Sequence, residues 1–593
     1  MLRRSVAALG LLALAPLALA AACGTRAQPA DLVLDHGTVI TMDSTRPNGQ
    51  AVAVRGGRIT AVGSDADIQR YVGPNTRVID LNGHVAVPGF IESHGHFTGL
   101  GMALTELNLM GVPSWQDIAA MVGDAAKTAK PGAWIQGHGW HQEKWNRSPG
   151  RVVKGFETND LINRAAPNNP VILEHASGHA LIANDAALRL AGIGPSTPNP
   201  PGGEIIKDAA GRPTGILVDG AQSLVRRALD KALAARSPEE AEAAFRNQIH
   251  LATQNALANG VTTFQDMGES FATIDAIKNM VDAGDMPLRL YILVDGDEVR
   301  PNDVDSLVAH RMIDYGNGYL TVRAIGEITA DGALGSRSAW MLEPYDDDPA
   351  NTGLNVTPMP RIKEIAEIGI AHGFQISVHA IGDRANRETL DLYQALFAEH
   401  HVKSDTLRWR IEHAQHLSPA DIPRFGQLGV VASMQGIHAC SDAPYVIPRL
   451  GVQRAQDGAY VWQSLWKTGA VVTNGTDVPV EAISPIASFH CSVTRDMVGT
   501  DSAFFPEQKL TREQALRTYT LNGAYVAFQE HDKGSLAPGK DADITVLSRD
   551  IMTTAPDSIL GTKVLYTIVG GKVVYAGAET PVAAGPLGHG AGD

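Results

Sequence analysis

In the stretch VAVPGFIESHGHFTG, residues 85–99, His94 and His96 are separated only by Gly95 and follow an apolar run that reads as a buried strand. Side chains at i and i+2 of an extended chain leave on the same side, so both imidazoles can reach one point. Polar residues recur at the ends of later apolar runs: Glu327 and Asp331 in RAIGEITADG, His379 in QISVHAIGD, His413 in WRIEHAQH and Asp477 in VVTNGTD. Four histidines and two or three carboxylates make a nitrogen and oxygen donor set suited to divalent ions, and large enough for two. His416, just beyond His413, is a rival for the same ligand place.

Such convergence requires a scaffold that brings many chain segments to one mouth. Buried-strand candidates at 85–91, 260–267, 288–295, 320–329, 374–380, 408–414, 430–436 and 470–477 alternate with helical stretches. That alternation predicts an α/β fold, a TIM-type (β/α)8 barrel spanning 85–530, whose reactive residues sit at strand C-terminal ends. The gap from His96 to about 255 is too long for one loop, and 97–255 is expected to be an inserted subdomain that shapes a pocket. It holds Trp140 and His141 in GHGWHQEKW and His179 in ASGHALI. Trp140 is read as a substrate contact that packing would explain as well, and Asp331 as a second substrate contact. Short β segments at 23–84 and 531–582 share a Gly-Gly turn texture, which predicts one small β sandwich built from both chain ends. Gly56-Gly57 and Asn82-Gly83 are the expected hairpin turns at the N-terminal side.

The termini read differently. Residues 1–22 carry Arg3-Arg4, an apolar run and small residues, the layout of an export signal, and Cys23 follows as a candidate lipidation site of a periplasmic or cell-envelope lipoprotein. Residues 583–593 are rich in Gly and Ala and predict a disordered tail. Cys440 and Cys491 are too few for a disulfide scaffold, and no CxxC occurs, so neither is assigned a role. The 49 Lys and Arg against 64 Asp and Glu give a formal charge of −15, without basic clusters, which argues against nucleic-acid binding. GSLAPGKD (534–541) stops short of a phosphate loop because Asp541 stands where Ser or Thr would meet magnesium.

VPGFIESHGH, SVHAIGDRA, RIEHAQHL, NGTDVPV and the closing KGSLAPGKDADITVL resemble the metal-dependent amidohydrolase superfamily. ADGALGSRSAWMLEPYDDDPANTGL (330–354) and GHALIANDAALRLAGI (178–193) resemble its YtcJ-like branch, which includes N-substituted formamide deformylases. The resemblance implies that His94 and His96 bind a first metal, that His379 and His413 bind a second, and that Asp477 binds metal and relays a proton. Where many members carry a carbamylated lysine, this sequence has Glu327, whose carboxylate can replace the carbamate or form a plain strand-end salt bridge. His179 is expected to polarise the substrate carbonyl. The implied protein is a metal-dependent hydrolase of C–N bonds in a small amide-like molecule, using one or two divalent ions, zinc first, with iron, manganese and cobalt open. An esterase, lactonase or carbamate hydrolase on the same site, and an exported binding protein without turnover, are the alternatives. Membrane contact is expected only through a lipid on Cys23, and the oligomeric state is not legible.

Overall fold

Eight parallel strands, Phe90–Gly95, Val261–Glu269, Arg289–Val294, Leu320–Thr329, Gln375–Ala380, Arg410–His413, Val431–Gln435 and Val472–Gly475, follow one another in sequence order around a nearly closed barrel. They are taken from a computed structural model that describes residues 27–500 and 502–578. The first and eighth strands meet at the seam, where Asp477 N donates to His94 O at 2.9 Å and His96 N donates to Val478 O at 2.8 Å. The closure therefore ties two candidate ligand segments to each other. Nearly every strand residue is buried, as β-branched and apolar runs such as Ile325, Val378 and Ile411 demand, each side chain contributing about 1.5–3 kcal/mol on burial.

The helices show why they form where they do. Helix Pro238–Ala258 opens with Ser237, whose hydroxyl accepts from Glu240 N while Glu240 accepts from Ser237 N. Its buried residues Ile249, Ala252, Thr253, Ala256 and Leu257 recur every three or four positions, the spacing of one helical face. That face joins the barrel core with Phe264 and Phe97, so this helix belongs to the barrel although it falls within the expected insertion. Helix Phe97–Ala103 lies against it so closely that a Cβ on Gly101 would stand 2.5 Å from Gln248 O.

The insertion folds around a six-stranded mixed sheet with Leu107–Asn108 at one edge and Gly203–Lys207 at the other, flanked by helices Trp115–Thr128 and Gln222–Leu233. The small domain has two sheets, one of Leu32–Asp35, Ala51–Arg55, Arg58–Gly63 and Arg77–Asp80, the other joining Thr38–Ile40, Asn48–Gly49 and Val85–Pro88 to Ile544–Leu547, Val564–Val569 and Lys572–Ala576. Leu34, Val52 and Ile79 from the first share a core with Ala86, Ile544 and Ile568 from the second. Arg289 of the barrel grips Asp543 through two contacts of 2.8 and 3.2 Å and so fastens the two domains together.

Three expectations need correction. The run 85–91 is not one strand: Val85–Pro88 pairs with Ile544–Leu547, and the barrel strand begins at Phe90. The chain passes between domains at Gly89, where a Cβ would stand 2.2 Å from Thr262 Oγ1, so only glycine fits. Asn82-Gly83 adopts positive φ, as a tight turn requires, but the strands on either side enter different sheets rather than a hairpin. Cys440 and Cys491 are joined in a disulfide between helices Gly436–Leu450 and Pro485–Thr494. Their separation of 51 residues hid the pairing, because only the packing of those two helices brings the thiols together. The expected leader 1–22, Cys23 and the tail 583–593 lie outside the described residues. Among the described residues, no helix is long and apolar enough to cross a membrane.

Candidate metal centre

His94 is delivered by the end of the first strand with its side chain fully buried. Its Nδ1 lies 2.7 Å from Glu412 Oε2, which fixes the proton on Nδ1 and leaves the Nε2 lone pair facing the barrel mouth. Glu412 is itself locked, accepting from Arg410 Nη2 at 2.9 Å and from Ser377, with Arg410 Nε in ion-pair contact at 2.6 Å. Arg410 also donates to Gln265, Ser93 O and Ser433, all within the barrel interior. Burial pushes the Glu412 carboxyl up, but Arg410 and His94 outweigh it and hold it near about 2. This charged girder beneath His94 is buried on every side.

Around His94 Nε2 the expected residues converge. Asp477 Oδ1 is 3.3 Å from His94 Nε2 and 3.2 Å from His96 Nε2. Glu327 Oε2 is 3.9 Å from His94 Nε2, 3.6 Å from His379 Nδ1 and 3.4 Å from His413 Nε2, while its Oε1 is 3.8 Å from His96 Nε2. The fourth-strand glutamate thus touches all four histidines rather than a basic residue. His413 Nδ1 is held at 2.9 Å by Gln435 Oε1. The backbone is left-handed at His413 (φ 69°) and at Asp477 (φ 59°), conformations that cost a non-glycine residue about 1–2 kcal/mol and persist because the surroundings enforce them.

His94 Nε2, His379 Nε2, His413 Nε2, Glu327 Oε2 and Asp477 Oδ1 are all buried without a hydrogen-bond partner. Four of them, on His94, His413, Glu327 and Asp477, face one space and are costly unless something pairs with them, whereas His379 Nε2 lies 3.7 Å from Asp331 Oδ1 and it is His379 Nδ1 that faces Glu327. His94, His96 and Asp477 form one group with the spacing of metal ligands, and His94, Glu327 and His413 form another. The donor set therefore fits divalent cations. Burial opposes ionisation of Glu327 and Asp477, yet the adjacent imidazoles hold both carboxyls well below their ordinary range. Burial lowers His379 to about 4, so its imidazole is neutral and available as a ligand.

The remaining expected residues divide. His179 lines the cavity above the centre, its Nδ1 held 2.8 Å from Asp219 Oδ1 and its ring 5.6 Å from that of His379. Burial opposes charge on it, but Asp219 prevails and raises its pKa. Trp140 is not on the cavity surface. Its ring is fully buried against Trp145, Phe156 and His175, and its Nε1 donates to Leu173 O, so it packs the insertion while the neighbouring His141 faces the cavity. Asp331 is likewise no substrate contact: fully buried, it accepts from the backbone N–H of Trp340, Ile381 and Gly382 at 2.7–2.9 Å. Burial raises it to about 7 despite those bonds, and it fastens the loop after the fourth strand to the end of the fifth. His416 points away from the centre toward the Tyr460 ring. Just beyond the fifth strand, Asp383 accepts from Leu342 N and Arg384 covers the Trp340 ring.

Sequence reasoning missed His438, whose Nε2 is 3.9 Å from Asp477 Oδ2 and which completes a third possible ligand group with His413 and Asp477. It follows the seventh strand by three residues, so the strand-end rule that found the others reaches it too. Glu412 and Asp219 carried no such signal, because their role is contact with another residue far away in sequence.

The cavity at this mouth has a volume of about 770 Å³ and is roofed by the insertion. Comparison with known proteins agrees with the geometry. The model of the amidohydrolase family matches residues 77–575. The protein LONG AFTER FAR-RED 3 of Arabidopsis thaliana is 35% identical, covering 92% of both chains. The putative amidohydrolase YtcJ of Bacillus subtilis is 30% identical over 91% of this chain and 98% of its own. The N-substituted formamide deformylase of Arthrobacter pascens is 28% identical over 92% and 99%. Among solved structures, an uncharacterized metal-dependent hydrolase from Pyrococcus furiosus superposes with a TM-score of 0.67 at 26% identity, covering 88% of this chain and all of that one.

Proposed function

This chain belongs to the amidohydrolase family and is a metal-dependent hydrolase acting on C–N bonds; from that premise we propose that it cleaves small N-acyl compounds such as N-substituted formamides, with Asp477 as the proton relay. The observation that carries this reading is the meeting of unpartnered His94 and His413 nitrogens with Glu327 and Asp477 oxygens at one buried mouth, with His379 Nδ1 3.6 Å from Glu327 beside them. His94, His96, Glu327, His379, His413 and Asp477 are the residues that would hold the ions. A divalent ion bound there polarises a carbonyl and lowers the pKa of water to about 7.

The chain's own groups account for the rest. Asp477, ionised and next to both His94 and His96, takes the proton of the attacking water and returns it to the departing nitrogen, so that water and amide become acid and amine. His179, whose proton affinity Asp219 raises, is positioned to donate to the oxygen that gains negative charge. The insertion covers the mouth and limits water to what the reaction consumes.

Metal analysis of the protein purified without chelator tests the assignment. About two divalent ions per chain, falling to one or none in Glu327→Ala together with loss of formamide hydrolysis, is the expected result. Equal metal content in both proteins would remove Glu327 from the ligand set.

Export with lipid attachment at Cys23 belongs to the same reading. The Cys440–Cys491 disulfide supports it, since such bonds persist in oxidising compartments. Incorporation of labelled palmitate by the wild type and its absence in Cys23→Ser is the expected outcome; labelling that survives the substitution would sink it.

A further inference from the structure

The cavity extends from the barrel mouth into the insertion, where its far wall carries charge that the hydrolytic centre does not use. Glu106, just beyond helix Phe97–Ala103, lines that wall. Among the described residues, its carboxylate has one ion-pair contact, His138 Nδ1 at 3.9 Å, which is too long for a hydrogen bond. His138 is only 8% exposed, and its Nδ1 is buried without a partner. Burial lowers the pKa of this imidazole, so it is neutral and offers no compensating charge. Burial and the nearby Glu174 push Glu106 up to about 7 against the opposing pull of Arg226.

The local cation is already committed. Arg226 is 2.8 Å from Glu174 Oε2 and donates to Gln222 Oε1 at 3.2 Å. Asp230 lines the same wall, so three carboxylates face one guanidinium. A half-buried carboxylate that shares its one neighbouring guanidinium with two others and an imidazole without a donor share one remedy, a ligand that brings positive charge and several N–H groups. An ammonium group offers three. Met102, Leu229 and Leu233 line the same cavity, an apolar surface that suits a methylene chain.

We propose that Glu106 and His138, with Glu174 behind them, form a subsite for a protonated amine, which makes the substrate class N-acylated diamines or related N-acyl compounds with a second basic nitrogen. The substrate class rests on the hydrolytic reading above, whereas the amine subsite does not. The methylene chain lies along Met102, Leu229 and Leu233, and the acyl nitrogen reaches the barrel mouth. No bond changes at the subsite itself. It selects by charge, because an alkyl terminus there covers Glu106 and His138 without giving either a partner.

Two measurements test the proposal. The first is calorimetric binding of 1,5-diaminopentane at pH 8 to the full chain, comparing wild type with Glu106→Gln and Glu106→Asp. Loss of a charged hydrogen bond weakens binding by about tenfold or more in Glu106→Gln, and Glu106→Asp, which keeps the charge, recovers part of it. Absence of binding to the wild type, or equal affinity in Glu106→Gln, overturns the subsite. The second measurement compares kcat/KM for N-formyl-1,5-diaminopentane with that for N-formylhexylamine, in which a methyl group replaces the ammonium. Preference for the diamine by about tenfold, lost in Glu106→Gln, supports the substrate class, and equal turnover overturns it. Diamine binding that depends on Glu106 without turnover of any formamide would support the subsite and overturn the hydrolytic reading, so the two failures are distinct.

Discussion

Replacing Glu412 by Gln should destabilise the barrel and weaken metal binding together, although Glu412 is not itself among the ligands. Its carboxylate and the Arg410 guanidinium are both fully buried, with Nε and Oε1 2.6 Å apart. Removing the negative charge leaves Arg410 buried without a counter-ion, a change that costs about 3–5 kcal/mol. The shift in proton affinity gives a similar magnitude. A carboxyl lowered from 4.5 to about 2 corresponds to ~3 kcal/mol at about 1.4 kcal/mol per pH unit. Because the folded pKa is depressed, that stability is present above the ordinary pKa of 4.5 and is lost as pH falls toward about 2. The same substitution removes the anion that orients His94 at 2.7 Å, and losing such a support costs about 10–100-fold in metal affinity. Urea unfolding of the metal-free protein at pH 7, followed by tryptophan fluorescence, measures the first effect. Competition with a chromophoric chelator measures the second. An unchanged unfolding midpoint together with unchanged metal affinity would refute the reasoning, since the structure leaves Arg410 no other acidic partner among the described residues.

Two further perturbations separate chemistry from architecture. Asp477→Asn keeps the size of the side chain but cannot accept the water proton, so kcat on a formamide should fall by about 10²–10⁴-fold; turnover within a few-fold of wild type in a metal-replete assay would assign the relay elsewhere. The double substitution Cys440→Ser, Cys491→Ser opens a loop of 51 residues. Chain entropy places the cost of opening it at ~4 kcal/mol. Denaturant unfolding without reductant reads it, and a difference below about 1 kcal/mol would mean that packing of the two helices alone holds the His438 segment.

The sequence by itself determined the barrel, its eight strands within a few residues, and most of the candidate ligands. The physical reason is local: buried strands must be continuously apolar, and a polar residue at such a strand's end is conspicuous against that background. His94, His96, Glu327, His379, His413 and Asp477 all carry that mark. Tertiary structure decided what depends on partners distant along the chain. Whether Glu327 was a salt-bridge residue or a carboxylate set among four histidines turned on which strands stand opposite the fourth across the mouth. Trp140 and His141 are adjacent in sequence, yet the alternation of strand faces sends one into the insertion core and the other to the cavity. Asp331 lies four residues beyond Glu327, but three backbone N–H groups, one further along its own loop and two just after the fifth strand, take up its carboxylate. The Cys440–Cys491 bond, the Glu412 support beneath His94 and the charge of the Glu106 wall arise only when segments far apart in sequence are packed together, and no periodicity along one strand or helix encodes them.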